Sequence, residues 1–406
     1  MNAAFAPKDE NRKILHFDLD SFFCAVEEQR NTSLRGIPFA VGGRPEARGV
    51  VASCSYPARK FGIRSAMPMS RALRLCPQLV IIPGNHKLYS ETSRQVMERL
   101  KKPGRLVEQI SIDEAFLDVS REAEPGEVIA RRLQKKIHAQ LGLPCSIGVA
   151  TNKLVAKIAT DVGKSAARGE GPPNAIQVVP PGKEAGFLAP LPAEALWGVG
   201  PKTAALLEEK GIRTIGDIAR QTEQDLVAWF GKHGHDLFLR SRGVDRGEVQ
   251  PLHETKSISR ETTFARDLRD ADELRKTLSV LSEGVARRLH HENLAGTTIK
   301  LKLRWADFTT LTRQVTVDPP VDDPDSIYKY SLHLFEAVWK AGRPVRLLGV
   351  GVSGLGAPIR QLTLWEVGSE AKFSEKERRL LEAIQELRVR FGDQVIRQGS
   401  PDSQDK

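Results

Sequence analysis

Two acidic segments stand far apart in this chain, Ile14-Leu15-His16-Phe17-Asp18-Leu19-Asp20 and Ser111-Ile112-Asp113-Glu114-Ala115-Phe116-Leu117-Asp118. Each sets carboxylates inside an apolar run that predicts a buried strand. A lone buried carboxylate is costly unless something compensates it. Two such strands side by side would gather Asp18, Asp113 and Glu114 into one cluster. Like charges that close need a counter-charge, and hard divalent cations with oxygen ligands supply it. Two Mg²⁺ ions between these carboxylates and a triphosphate would make a phosphoryl-transfer site. The side-chain period of two puts Asp18 and Asp20 on one strand face. Asp18 sits deeper in the apolar run and is the expected ligand, whereas Asp20 is expected to orient neighbours or cap the following helix. Asp113 and Glu114 are adjacent and diverge in a regular strand, so only a tight hairpin bend can aim both at one point.

The elements that must hold these residues follow from pattern. Residues 13–20 predict a strand and 21–30 a helix; short strands are expected at 38–43 and 49–54, then a turn and short helix at 56–62. Residues 86–101 and 126–141 have helical periodicity, with the second acidic segment as a hairpin between them. Cys145–Ala150 predicts a strand, followed by a helix through Lys153, Ala156, Lys157 and Ala159. Strands and helices thus alternate as βαββαβ, with residues 22–84 inserted after the first strand. Residues 165–182, rich in Gly, Pro, Ser and Ala, form a loop to a domain boundary. Residues 180–247 read as helical with Gly-centred turns, and 248–256 as a polar linker. A separate α+β domain follows, with helices at 270–292 and 325–340 and strands at 297–303, 311–317 and 345–352. A last helix is expected at 374–391, with capping-box spacing of Ser374 and Glu377, Gly392 at its end, and Leu380, Ile384, Leu387 and Phe391 on one face.

A net charge of +10 and a pI of about 9.4 favour a polyanionic partner. Residues 22–84 carry 9 basic and 3 acidic side chains, so a strong positive field borders the first acidic strand. Cys24, Cys54, Cys76 and Cys145 form no C-x-x-C pair and no zinc-like group with histidine, and read as small core residues in a reducing cytosol. Residues 1–12 lack the apolar core of a signal peptide, and no apolar run is long enough to span a membrane. The expected location is cytoplasmic.

Three motifs occur in order: Phe17-Asp18-Leu19-Asp20-Ser21-Phe22-Phe23-Cys24-Ala25-Val26-Glu27, then Tyr56-Pro57-Ala58-Arg59-Lys60-Phe61-Gly62-Ile63-Arg64-Ser65-Ala66-Met67-Pro68, then Ser111-Ile112-Asp113-Glu114-Ala115. On these the chain resembles the Y-family DNA polymerases, most closely the bacterial DNA polymerase IV (DinB-like) type, from about residue 13 to residue 355, more weakly in the last third. The resemblance implies an α+β multidomain right-hand fold. Its βαββαβ palm is 1–21 plus 85–179, its small fingers 22–84, its helical thumb 180–247 and its α+β little finger 257–356, with a 248–256 linker and a 357–406 tail. It implies a translesion enzyme adding dNTPs to a primer on template DNA, acting as a monomer with low fidelity. No segment resembles a proofreading exonuclease. Asp18, Asp113 and Glu114 match the catalytic, metal-binding carboxylates, expected to hold two Mg²⁺ ions. Phe23 matches the steric gate, a ring beneath the sugar that leaves no room for a 2′-hydroxyl. The amides from Leu19 through Phe22 to Phe23 lie where a helix N-terminus can meet phosphates. Tyr56, Arg59 and Lys164 match residues that hold the triphosphate, although the loop after Lys164 is longer than is usual in the family. Ala52, Ser53, Ser65 and Ala66 would roof the nascent base pair.

Further contacts with DNA are expected outside this centre. Leu196-Trp197-Gly198-Val199-Gly200-Pro201-Lys202 resembles a helix-hairpin-helix turn, with Gly198, Gly200 and Lys202 facing a phosphate. Lys300, Lys302 and Arg304 alternate along one strand and are placed to track a backbone. Gln361-Leu362-Thr363-Leu364-Trp365 resembles the short peptide that binds the sliding clamp, with Gln361 as polar anchor and Leu362, Leu364 and Trp365 as apolar ones. Two rival classes remain at this stage. A nucleotide cyclase shares the palm but predicts no helix-hairpin-helix, and a non-catalytic DNA-binding relative predicts a lost carboxylate.

Overall fold

The apolar hexapeptide at the start of the chain becomes β1 (Ile14–Leu19), buried along its whole length. The computed structural model describes residues 12–358 apart from 103, 168, 170, 252 and 253; the Gln361–Trp365 peptide and the expected last helix lie outside the described residues. α1 (Phe22–Arg30) starts after Ser21, whose backbone is left-handed at φ 48°. β2 (Phe39–Gly42), β3 (Val51–Cys54), α2 (Tyr56–Lys60), α3 (Met69–Leu75) and β4 (Val80–Ile82) then form a small unit with a three-stranded β3-β2-β4 sheet. α4 (His86–Leu100) leads to the hairpin of β5 (Leu106–Gln109) and β6 (Glu114–Asp118). α5 (Gly126–Leu141), β7 (Cys145–Ala150), α6 (Lys153–Ala166) and β8 (Ile176–Val178) complete a five-stranded sheet ordered β5-β6-β1-β7-β8.

β1 therefore sits in the middle of the large sheet, antiparallel to both β6 and β7. Its alternation divides two cores. Leu15, Phe17 and Leu19 pack with side chains of α1, α4 and α5, whereas Ile14 packs with Leu154, Val155 and Ile158 of α6. Each fully buried Leu or Ile side chain contributes roughly 1.5–3 kcal/mol over exposure, which makes register slippage of β1 costly. His16 and Asp18 share the α6 face, and burial there must be compensated locally.

α6 has a strongly one-sided apolar face and an Asn152 cap that accepts from Val155 N–H. Its start is stitched to the next unit: Asn152 Nδ2 donates to Gly243 O (2.9 Å) and Leu154 N–H to Asp245 (3.0 Å). That unit holds α7 (Glu184–Leu188), α8 (Pro201–Glu209), α9 (Ile215–Arg220), α10 (Glu223–Phe230) and α11 (Lys232–Arg240), and its Leu207, Ile215, Leu226 and Leu237 extend the α6 core.

The last unit is a four-stranded sheet ordered β11-β10-β12-β9, covered by two helices. Its elements are β9 (Ser257–Leu268), α12 (Ala271–Glu292), β10 (Ala295–Trp305), β11 (Thr310–Val321), α13 (Pro324–Val338) and β12 (Val345–Gly356). β9 has no counterpart in the sequence-based expectation, because Ile258 is its sole fully buried residue and the stretch Ser259–Thr263 of this edge strand is polar. All four cysteines are buried and unpaired. Among the described residues no helix is long and apolar enough to cross a membrane.

Candidate active site

Asp18 lies directly opposite Glu114 in the β1–β6 ladder and opposite Ser146 in the β1–β7 ladder. The bend before β6 brings the third carboxylate alongside, since Leu19 N–H donates to Asp113 O at 3.1 Å. Ser111 builds that bend. Its hydroxyl accepts from the N–H groups of Asp113 (3.2 Å) and Glu114 (3.0 Å) and donates to Asp113 Oδ1 (2.6 Å). Two residues that diverge in a regular strand are thereby set at one end of the sheet.

Two lysines of α6 attend these acids. Lys164 Nζ stands 2.5 Å from Asp18 Oδ1 and 3.4 Å from Asp20 Oδ1. Lys157 Nζ lies 3.2 and 3.4 Å from the two Glu114 oxygens. Burial pushes the Asp18 carboxyl up to about 7; Lys164 opposes the rise, and Glu114 and Asp113 add to it. Burial pulls Lys164 down, but Asp18 and Asp20 outweigh it and hold the ammonium above its ordinary value. Asp20 is buried and saturated, accepting from Ser146 Oγ (2.9 and 3.0 Å) and Asn174 N–H (3.0 Å), so it orients neighbours and does not cap α1. His16 bonds Thr160 Oγ1 through Nδ1 (2.9 Å), and burial first, then Lys157 and Lys164, keep its pKa well below the usual value. Among the described residues no three His, Cys, Asp or Glu side chains close into a ready metal-ligand group. The two ammonium groups lie against the oxygens such a group would use.

The Phe23 ring, partly buried, stacks on Tyr89 with centroids 4.2 Å apart and meets His86 edge-on. Tyr89 is fixed by its hydroxyl, which donates to buried Glu27 at 2.7 Å. Phe22 is buried in the core, which leaves its amide and not its ring for any ligand. The expected run of phosphate-facing amides is shorter than Leu19 to Phe23. Leu19 N–H is taken by Asp113 O and Asp20 N–H by Pro144 O, so the free stretch begins at Ser21. The Arg59 guanidinium covers the Tyr56 ring at 4.8 Å. Burial and then Asp20 push the Tyr56 hydroxyl up to about 12 against Arg59, Ser21 and Lys164, which places all four around one phenol. Ser53 does not join the expected roof: Ala52 is exposed, whereas Ser53, on the opposite strand face with Val51, is buried. Ser65 and Ala66 are exposed.

Farther out, Gly198 has φ +103° and its missing Cβ would fall 2.7 Å from Arg240 Nη1, whereas Gly200 caps α8 with φ −86° and open space around it. The turn itself thus needs glycine at 198 alone. Pro201 and exposed Lys202 open α8. Lys300 is exposed, Lys302 pairs with Glu261 on β9 (2.7 Å), and Arg304 bonds Thr310 Oγ1 (2.7 Å), so the expected basic stripe is partly neutralised. The polar linker is docked at its start, where Gln250 N–H donates to Glu108 (2.9 Å) beside Lys153.

The impB/mucB/samB family matches residues 17–161, the DNA polymerase-iota thumb domain 194–245, and the impB/mucB/samB C-terminal domain 255–364. DNA polymerase IV of Desulfatibacillum aliphaticivorans is 41% identical over 388 residues, covering 94% of this chain and 95% of that one. DNA polymerase IV of Listeria innocua serovar 6a is 38% identical over 350 residues, covering 86% and 96%. This chain belongs to the DNA polymerase IV group of the Y-family DNA polymerases. Among solved structures, a Y-family chimera of Dbh and Dpo4 superposes with TM-score 0.74 at 26% identity, and an insertion ternary complex of Dbh with TM-score 0.59 at 27%; each covers 85% of this chain and all of the other. As a Y-family polymerase the chain is a DNA-directed DNA polymerase of the translesion class, and that family works with divalent metal ions.

Within this polymerase, three residues near the site carry no motif of their own. Lys157 stands two turns before Lys164, which puts both on one face of α6. Tyr89 hides in ordinary helical periodicity, and Ser146 in an apolar strand.

Proposed function

We propose that the chain extends a primer 3′ end with dNTPs, two Mg²⁺ ions being held by Asp18, Asp113 and Glu114. The observation that carries this reading is the direct opposition of Asp18 and Glu114, with Asp113 hydrogen-bonded alongside. The donor set is all carboxylate oxygen, which suits a hard divalent cation, and the same oxygens already attract two ammonium groups. When bound, such ions lower the pKa of the attacking hydroxyl and offset charge on the departing pyrophosphate. The protein's own groups do the rest. Tyr56, Arg59 and Lys164 converge beside Asp20 and are assigned to the triphosphate, together with the amides of Phe22 and Phe23. The Phe23 ring, backed by Tyr89, is the steric gate against ribose. Ala52, Ser65 and Ala66 form a roof of small side chains that presses weakly on base-pair shape, consistent with low fidelity without proofreading.

In this reading the palm is 1–21 plus 85–179, the fingers 22–84, the thumb 180–247 and the little finger 257–356. Gly198, Gly200 and Lys202 grip one phosphate, and Lys300, Lys302 and Arg304 follow a strand. Gln361, Leu362, Leu364 and Trp365 bind a sliding clamp, and the enzyme works as a cytoplasmic monomer. Primer extension tests the centre. Wild type should add nucleotides, while Asp113→Ala and Glu114→Ala should bind primer–template and add none; normal extension by Asp113→Ala overturns the assignment.

A further inference from the structure

Phe308 is 61% exposed, the highest value among the large apolar side chains described. Its backbone nevertheless lies in the left-handed region, at φ 66°. That conformation is strained for a bulky side chain and free for glycine, so an aromatic here opposes stability without filling a core. The residue sits at the tip of the β10–β11 hairpin, its N–H donating to Trp305 O (3.1 Å) and its carbonyl accepting from Thr310 Oγ1 (3.4 Å). The Arg346 guanidinium covers the ring at 4.3 Å and holds it in one plane.

The tip borders a cleft of about 630 Å³ between the fingers and the little finger, lined by Phe23, Ala52, Arg48, Arg304 and Arg346 as well as Phe308. The lining joins the Phe23 ring to the Phe308 ring and to guanidinium groups, of which Arg48 is paired with Asp267 and Arg346 lies over Phe308. Unpaired nucleic acid is held by this chemistry: cations follow the backbone, and bases stack on aromatic faces whatever their sequence. We propose that Phe308 is a stacking platform for an unpaired template base, where the template strand passes between fingers and little finger. The inference rests on the proposed function, in which Phe23 and Ala52 of this lining face the incoming nucleotide and the nascent base pair.

The test compares a primer–template bearing a single-stranded template overhang with a blunt duplex, by fluorescence anisotropy at one salt concentration. Phe308→Ala should weaken binding of the overhang substrate about tenfold, within the range known for base–aromatic stacking, and leave the blunt duplex unchanged. Phe308→Trp should bind like wild type and Phe308→Leu like the alanine variant. 2-Aminopurine at the first unpaired template position should be quenched by wild type and not by Phe308→Ala. Phe308→Gly should melt no lower than wild type, since it relieves the left-handed strain, and still lose overhang binding. Equal losses on both substrates, full binding by Phe308→Leu, or unchanged 2-aminopurine emission overturns the proposal. Wild type that holds neither duplex would instead remove the reading of the cleft beneath it.

Discussion

Phe23 and Tyr89 lie face to face, with ring planes 14° apart, although they come from different helices. Tyr89 cannot drift, because Glu27 holds its hydroxyl and Arg30 holds Glu27 (3.2 Å). Stacked aromatic pairs contribute about 0.5–1.5 kcal/mol beyond area burial. Tyr89→Met, which keeps an apolar side chain and loses the flat face, should therefore reduce discrimination against ribonucleotides by about 2- to 12-fold. Tyr89→Phe should keep the stack and most of the discrimination. The ratio of dNTP to rNTP kcat/KM measures both, with Phe23→Ala as the limit in which the proposed gate is gone.

Asp18 gives a pH dependence whose sign can be worked out. Its carboxyl is raised from 3.8 to about 7 by burial, against the pull of Lys164. A group raised in the fold favours the folded chain while protonated, so its contribution is fully present below pH 3.8 and is lost as pH rises through about 7. Divalent cations need the ionised form, so Mn²⁺ affinity measured by electron paramagnetic resonance should climb between about pH 6 and about pH 8. Asp18→Asn should flatten the corresponding part of the melting-temperature profile and abolish the climb.

An ion pair joins Arg48, in the segment proposed as fingers, to Asp267 on β9 of the last sheet. Arg48 Nη1 meets Asp267 Oδ1 at 2.6 Å and also donates to Phe264 O (3.3 Å), with both side chains 26% exposed. Partial exposure limits its strength to about 0.5–1 kcal/mol. Arg48→Ala or Asp267→Ala should loosen the little finger without lowering the melting temperature measurably. Fewer nucleotides added per binding event should result, and the exchanged pair Arg48→Asp with Asp267→Arg should recover part of the loss.

The two thumb glycines should separate stability from binding. Gly198→Ala adds a Cβ at φ +103° within 2.7 Å of Arg240 Nη1, so it should destabilise by about 1–3 kcal/mol, read as a lower melting temperature. Gly200→Ala meets no atom and an ordinary φ, so melting should be unchanged. Duplex DNA affinity should still fall, because the new methyl stands at the α8 N-terminus where a phosphate is expected to approach.

Local pattern made much of this protein legible. β1, β6 and β7 are short apolar runs, α5 and α6 have strong helical periodicity, and Pro201 sits where a helix begins. Asp18 and Glu114 stood out because acids in apolar strands need a compensating partner. β9 was not legible, since an edge strand with one buried residue shows no alternation. Ser53 was misplaced because its direction depends on the phase of β3, which only pairing with β2 sets.

By itself the sequence determined most of the order of elements around the site, the acids that must share a sheet, and the family, because these depend on residue type and near-neighbour spacing. Tertiary structure decided which groups answer those acids. Lys157 and Lys164 reach them from α6, Tyr89 backs Phe23 from α4, and Phe308 faces the cleft from a distant hairpin. Such contacts arise when distant segments pack and bury charge together, and no short-range periodicity encodes them.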